Sequence, residues 1–132
     1  MAKLIHTMIR VHDLERSLKF YRDAFNLEVA HRLDFPDFTL AYLRNAEADA
    51  EIELTWNRER TEQYSHGDGY GHVAFSVDDA RAERERLLGL GLAPNDMREF
   101  HHDNGELIAR YFFIQDPDGY KIEVLERYGH YQ

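Results

Sequence analysis

A histidine and a glutamate recur at corresponding positions in the two halves of this 132-residue sequence. His6 in "IHTMIRVHDL" corresponds to His72 in "YGHVAFSVDD", and Glu53 in "AEIEL" corresponds to Glu123 in "YKIEV". Each motif alternates apolar and polar residues, which predicts a strand. A lone histidine or glutamate on a strand is usually a surface residue. Repetition of both types in otherwise diverged halves is hard to explain by solvent exposure and indicates a shared chemical role.

Two imidazoles and two carboxylates that line one cavity favour a bound cation. The carboxylates would repel each other unless a cation lay between them or one of them were protonated. His6, Glu53, His72 and Glu123 would offer two nitrogen and two oxygen ligands. With water in the remaining positions, such a set suits an octahedral divalent metal such as nickel, cobalt or zinc. We therefore predict a metal site to which each half contributes one histidine and one glutamate.

The elements around these residues predict two copies of a βαβββ module, give or take one strand. Residues 4–11 alternate as a half-buried strand does, and Asp13 is placed to cap a helix that follows. In the second half, Asp78 or Asp79 is placed to cap a helix over about 80–89. Strand-like runs come after each helix: "LEVAHRLDF", "FTLAYLRN" and "EIELTWN" in the first half, "LIARYFFIQD" and "YKIEVLER" in the second. Within them, "AYL" is matched to "YFF" before the repeated glutamates.

The predicted fold class is therefore α+β, with one domain over residues 1–132. Module 1 is expected to span about 1–60 and module 2 about 68–132. A chain of this length fits one compact domain better than two independent ones. Neither module could bury its sheet alone, so the halves of one chain, or of two chains, are expected to combine.

Composition excludes several classes of function. The net charge of −9, from 25 acidic and 16 basic residues, repels nucleic acid and anionic lipid, so neither partner is expected. The absence of cysteine excludes disulfides and thiolate chemistry. The N-terminal residues interrupt their apolar run with His6, Arg10 and His12, which is typical of neither a signal peptide nor a membrane span. We expect a cytoplasmic protein.

The segment "REFHHDNGEL" contains two further candidates, His101 and His102. It carries Gly105 and no apolar periodicity, which predicts a mobile loop over a site, and its histidines could contact an anionic substrate. The alternative is a loop without a functional role. We expect surface positions for the four histidines that have no counterpart in the opposite half, which are His12, His31, His66 and His130.

The motifs "HTMIRVHDLERSLKFY", "EIELTWN", "GYGHVAFSVDD" and "DPDGYKIEV" together resemble the glyoxalase I (lactoylglutathione lyase) branch of the vicinal oxygen chelate superfamily. The resemblance covers nearly the whole chain. It implies tandem modules with curled mixed sheets, a metal held by His6, Glu53, His72 and Glu123, and a homodimer that exchanges modules so that each site lies at the subunit interface. The short chain is similar to the bacterial type, which implies nickel or cobalt, with zinc possible.

The resemblance also implies a reaction. The hemithioacetal of methylglyoxal and glutathione, or a related thiol, would isomerise to S-lactoylglutathione through an enediolate that the metal stabilises. Glu123 matches the favoured base and Glu53 its counterpart. Arg10 and Asn57 match residues that bind one end of glutathione, whereas Asp68 and the His101–His102 region depart from the family's pattern, which leaves the thiol open.

Other functions remain as alternatives. Within the same superfamily, the chain could be an epimerase or a dioxygenase that acts on another substrate. Dioxygenases use two histidines and one carboxylate, so the second carboxylate argues against them. A non-catalytic module that sequesters a ligand is the alternative of another class. Such a module needs no base, so the presence of both glutamates disfavours it.

Overall fold

The computed structural model describes residues Met1–Gln132 and divides into two compact units, Met1–Ser65 (unit 1) and His66–Gln132 (unit 2). Each unit packs one helix against one four-stranded sheet. Unit 1 contains β1 (His6–Val11), α1 (Leu14–Phe25), β2 (Glu28–Asp34), β3 (Phe38–Arg44) and β4 (Glu51–Asn57). Unit 2 contains β5 (Val73–Val77), α2 (Ala80–Gly89), β6 (Arg98–His101), β7 (Leu107–Gln115) and β8 (Lys121–Glu126).

The two sheets have the same topology. Their strand orders are β1-β4-β3-β2 and β5-β8-β7-β6, with a parallel pair at one side and antiparallel pairs elsewhere. The predicted α+β fold with two βαβββ modules is confirmed. In each unit the repeated glutamate lies on an inner strand, β4 or β8. The neighbouring parallel strand begins at His6 in unit 1 and immediately after His72 in unit 2.

The repeated aspartates that precede the helices act as N-caps, as predicted. The carboxylate of Asp13 accepts a hydrogen bond from the backbone N–H of Arg16 at 3.1 Å, and Asp79 accepts one from Ala82 at 3.0 Å. Each bond satisfies one of the amides that the first helical turn leaves without an intrahelical partner. The two caps therefore define where α1 and α2 begin. Neither helix is long and apolar enough to cross a membrane.

Each core lies between the helix and one face of its sheet. In unit 1 the most buried apolar side chains come from α1, β1, β3 and β4: Val11, Tyr21, Ala41, Leu43 and Leu54. In unit 2 they come from α2, β7 and β8: Leu87, Phe112, Ile122 and Val124. Burial of one large apolar side chain contributes about 1.5–3 kcal/mol. Since side chains alternate along a strand, Glu53 and Glu123, each next to a buried leucine or valine, point to the opposite face.

One expectation about the segment that carries His101 and His102 was wrong. The segment predicted as a loop forms β6 and a tight turn, in which Gly105 adopts a φ of +90° and donates its N–H to His102 O at 2.9 Å. Every residue of β6 is exposed, so this edge strand has no apolar alternation from which to predict it. His66 is half-buried: its ring stacks on Tyr120 at 4.1 Å and its Nε2 is buried.

Candidate metal centre

In unit 1 the first histidine and glutamate of the repeat lie together. Parallel pairing of β1 with β4 places Met8 opposite Glu53. His6 lies two residues before Met8 on the same face of β1, so its imidazole reaches the Glu53 carboxylate. His6 Nε2 lies 3.2 Å from Glu53 Oε1. The Glu53 residue is buried, whereas the His6 side chain is about one-third exposed. A partly open imidazole above a buried carboxylate is suited to contact a small ion or substrate.

Unit 2 repeats this arrangement. His72 Nε2 lies 3.4 Å from Glu123 Oε1. The His72 side chain is 42% exposed and that of Glu123 only 17%, so the carboxylate is again the deeper of the two groups. The structure therefore brings the four predicted ligands together as two pairs, one in each unit.

The geometry of each pair fits two ligands of one divalent ion. Histidine nitrogen and carboxylate oxygen bind such ions at about 2.0–2.2 Å, so adjacent donors around one ion lie about 3 Å apart. The separations of 3.2 and 3.4 Å agree with this spacing. No group of three or more histidine, aspartate or glutamate side chains is clustered for metal binding in the structure. Each unit thus supplies two donors of a type that suits nickel, cobalt or zinc.

The carboxylate of Glu53 has two hydroxyl-bearing neighbours. Thr55 Oγ1 donates a hydrogen bond to Glu53 Oε2 at 3.2 Å, and Tyr42 lies directly opposite Glu53 in the β3–β4 register. Burial, followed by the interaction with the Glu53 carboxylate, raises the pKa of Tyr42 above its usual value, because both disfavour the phenolate. Sequence reasoning missed both residues. The signal for Tyr42 is its position directly across the strand pair from a predicted ligand, which only the structure's register reveals.

The corresponding residues around Glu123 are apolar. Register places Phe113 opposite Glu123, just as it places Tyr42 opposite Glu53. The ring of His72 meets Phe113 edge-on at 5.4 Å, and that of His6 meets Tyr42 in the same manner at 5.5 Å. Leu125 occupies the position equivalent to Thr55.

This register corrects the match of "AYL" with "YFF". The connection between β3 and β4 is one residue longer than that between β7 and β8, so the sequence comparison placed Tyr42 against Phe112. A slip of one residue exchanges the faces of a strand. Phe112 is in fact fully buried, on the side of its sheet opposite to Glu123.

Arg10 and Asn57, the substrate-binding candidates of unit 1, lie on the same face as Glu53. Arg10 is opposite Thr55 in the β1–β4 register, and Asn57 follows Thr55 by two residues on β4. Arg10 is exposed and Asn57 is half-buried. A guanidinium and an amide therefore extend the polar face from the His6–Glu53 pair toward the end of β4, where they can bind an anionic group.

The structure does not bring His101 next to the His72–Glu123 pair. His101 Nε2 lies 3.4 Å from Glu99 Oε2, and Glu99 in turn contacts Arg81 of α2 at 3.8 Å. His101 therefore contacts Glu99, which is joined to α2, rather than the His72–Glu123 pair. His102 lies in the adjoining turn, where its N–H bonds to Glu106 O at 2.9 Å.

Comparison with known proteins gives consistent matches over nearly the whole chain. The sequence of residues 3–124 matches the family model of the Glyoxalase/Bleomycin resistance protein/Dioxygenase superfamily. The chain is 42% identical over 130 residues to a lactoylglutathione lyase of Haemophilus influenzae, covering 94% of this chain and 92% of the relative. It is 41% identical over 130 residues to that of Neisseria meningitidis, covering 95% and 91%. The solved structure of the trypanothione-dependent glyoxalase I of Leishmania major superposes with a TM-score of 0.77 at 32% identity, over 96% of this chain and 87% of that one.

Proposed function

The chain belongs to the Glyoxalase/Bleomycin resistance protein/Dioxygenase superfamily, and we propose that it is a lactoylglutathione lyase of the glyoxalase I type. It would convert the hemithioacetal of methylglyoxal and glutathione into S-lactoylglutathione and so detoxify methylglyoxal. The observation that carries this proposal is 41–42% identity, over nearly full length, to relatives with that activity in their names. The matching His–Glu pair in each unit supports it.

We propose that His6, Glu53, His72 and Glu123 together hold one divalent metal, with nickel or cobalt favoured and zinc possible. The pairwise spacings support this assignment, because each pair fits two neighbouring donors and neither pair alone completes a coordination shell. When bound, the ion supplies Lewis-acid polarisation of the substrate oxygens. The protein side chains then have to position the substrate and move its proton.

Glu123 is the proposed base. Its carboxylate takes the proton from C1 of the hemithioacetal, the electron pair of the broken C–H bond forms a C1–C2 double bond, and the π pair of the C2 carbonyl moves onto its oxygen. The same carboxylate returns the proton to C2, the proton of the C1 hydroxyl passes to the C2 oxygen, and C1 becomes the carbonyl carbon of the thioester. General base action of this kind contributes roughly 10²- to 10⁴-fold to the rate. Glu53 is the counterpart carboxylate, held in place by its hydroxyl contacts.

Arg10 and Asn57 are proposed to bind a carboxylate of the thiol, which their place on the Glu53 face supports. A guanidinium forms strong, directional bonds with carboxylates. His101 and His102 stay predictions as substrate contacts, and they would require a thiol that extends to the β6–β7 turn. The Leishmania major relative depends on trypanothione. The identity of the thiol therefore belongs in the test of the proposal.

We further propose a cytoplasmic homodimer in which exchanged modules build each site at the subunit interface. Two donors from one unit need two more from another, and a two-fold dimer supplies them twice. Apolar residues exposed on β1 and just before it support an interface there, since Met8 is 38% and Ile5 58% exposed.

The proposal is tested by removal and return of the metal. Protein stripped with a chelator should lose activity, and nickel or cobalt should restore thioester formation from methylglyoxal with glutathione, followed by ultraviolet absorbance. Trypanothione replaces glutathione in a parallel assay. A protein that binds metal but converts the hemithioacetal of neither thiol would refute the proposed function.

A further inference from the structure

The two glutamates of the proposed centre are held differently, although the repeat makes them equivalent. Oε1 of Glu53 lies 3.2 Å from His6 Nε2, Oε2 accepts a hydrogen bond from the Thr55 hydroxyl at 3.2 Å, and Tyr42 lies opposite Glu53 in the β3–β4 register. Glu123 has the His72 contact at 3.4 Å, and its neighbours at the two hydroxyl positions are Phe113 and Leu125. The difference is two hydroxyl groups.

We propose that Tyr42 and Thr55 are positioning residues that lock Glu53 in the orientation of a metal ligand and thereby reserve proton transfer for Glu123. This inference rests on the proposed function, because it assigns unequal tasks to the two carboxylates of that site.

The physical basis is the freedom of each carboxylate to rotate. A buried carboxylate that accepts a hydrogen bond can turn only by breaking it, and such a bond to a charged group is worth more than one between neutral groups. Glu53 is 8% exposed and accepts such a bond from Thr55, with the Tyr42 side chain opposite it in the register. The neighbours of Glu123 at the two hydroxyl positions are apolar and form no hydrogen bond that would hold its carboxylate. This carboxylate would therefore be free to turn toward the substrate carbon. Partners that orient a ligand typically change metal affinity by about 10- to 100-fold when removed.

The first experiment measures nickel affinity by calorimetry on chelator-stripped full-length protein. Thr55→Val keeps the shape of the side chain and removes its hydroxyl, and Tyr42→Phe does the same for the phenol. Each variant is expected to weaken nickel binding, and the double variant by about tenfold. Thr55→Ser, which keeps the hydroxyl, is expected to bind nickel as the parent does. That rescue separates a hydrogen-bond effect from a packing effect.

The matched control is the double variant Thr7→Val and Tyr128→Phe. Both residues are exposed, and Thr7 lies on the face of β1 opposite to His6. The control is expected to leave nickel affinity unchanged. An unchanged affinity in the Tyr42→Phe, Thr55→Val protein would overturn the inference, and so would an equal loss in the control.

The second experiment introduces a hydrogen-bond donor next to the carboxylate of Glu123. Phe113→Tyr places a phenol opposite Glu123, as Tyr42 is placed opposite Glu53. We expect kcat to fall several-fold at unchanged KM and full nickel occupancy, because the base is restrained while substrate binding is not. An unchanged kcat would contradict the inference. If the parent binds nickel but has no turnover, the proposed function fails, whereas the affinity series still decides whether Tyr42 and Thr55 position Glu53.

Discussion

Glu123 is the residue on which the proposed chemistry depends most directly. Its side chain is only 17% exposed, beside His72 and opposite Phe113, so bulk water has limited access to it. Glu123→Gln keeps the size and a possible oxygen ligand but removes the base. We expect kcat to fall by roughly 10²- to 10⁴-fold, measured as thioester formation at saturating nickel. The control is Glu106→Gln, in the exposed β6–β7 turn, and equal losses in both variants would reject the assignment.

The four ligand candidates stay a prediction, which the sequence supports because a histidine and a glutamate are repeated in two strand patterns. The structure shows in addition that His6 contacts Glu53 and His72 contacts Glu123 within their own units. The role of Tyr42 could not be predicted, since a connection one residue longer in the first half shifts the cross-strand register. Contacts set by register depend on loop length, which apolar alternation does not encode.

At the scale of elements, the repeated aspartates are explained by helix capping rather than by metal binding. Asp13 satisfies an otherwise unpaired amide at the start of α1. Asp13→Ala is therefore expected to lower the free energy of unfolding by about 0.5–2 kcal/mol, measured by urea denaturation. Asp13→Asn, which keeps a capping oxygen, should lose much less. Equal losses for alanine and asparagine would show that the cap is not the cause.

The β2–β3 hairpin carries a pH-dependent contribution to stability. The hydrogen bond from Thr39, at 2.7 Å, and then those from Arg32 hold the pKa of Asp34 below its usual range. A pKa that is lower in the folded than in the unfolded state gives stability that is present above the unfolded value, near 3.9, and is lost as the pH falls through the folded value.

Asp34→Asn should remove that dependence. In urea denaturation at a series of pH values, the variant is expected to lose less stability than the parent between about pH 5 and pH 2. Asp103→Asn, in the exposed β6–β7 turn, is the control and should follow the parent curve. Parallel curves for the parent and Asp34→Asn would contradict the assigned cause.

The elements differ in how well sequence could predict them. Helix α1 has a cap, an apolar stripe and a left-handed end at Asn26, with φ of 55°, so that local signals agree on both of its boundaries. Strand β6 has none of these signals, because it is an exposed edge strand whose hydrogen bonds come only from β7. Its strand conformation depends on pairing with β7 rather than on an alternation of its own residues, so local pattern carries little information about it.

For the molecule as a whole, the repeat explains why the fold could be predicted while its assembly has to be tested. Each unit presents one His–Glu pair, and the proposed centre needs both kinds of unit. The two pairs that form one centre could belong to one subunit or to two subunits. Module exchange in a homodimer predicts the second arrangement, and a pair of inactive variants can distinguish the two.

The first variant lacks the unit 1 donors (His6→Ala, Glu53→Ala) and the second lacks the unit 2 donors (His72→Ala, Glu123→Ala). If sites form between subunits, a dimer with one chain of each kind has one site built only from intact donors and one built only from alanines. Mixed dimers, co-expressed with two different affinity tags and purified through both, should then show about half of the parent activity per dimer. Dimers of either variant alone serve as the control and should be inactive. If the sites lie within single subunits, every site in the mixed dimer lacks two donors, and inactivity of the purified mixed dimer would reject the exchanged arrangement.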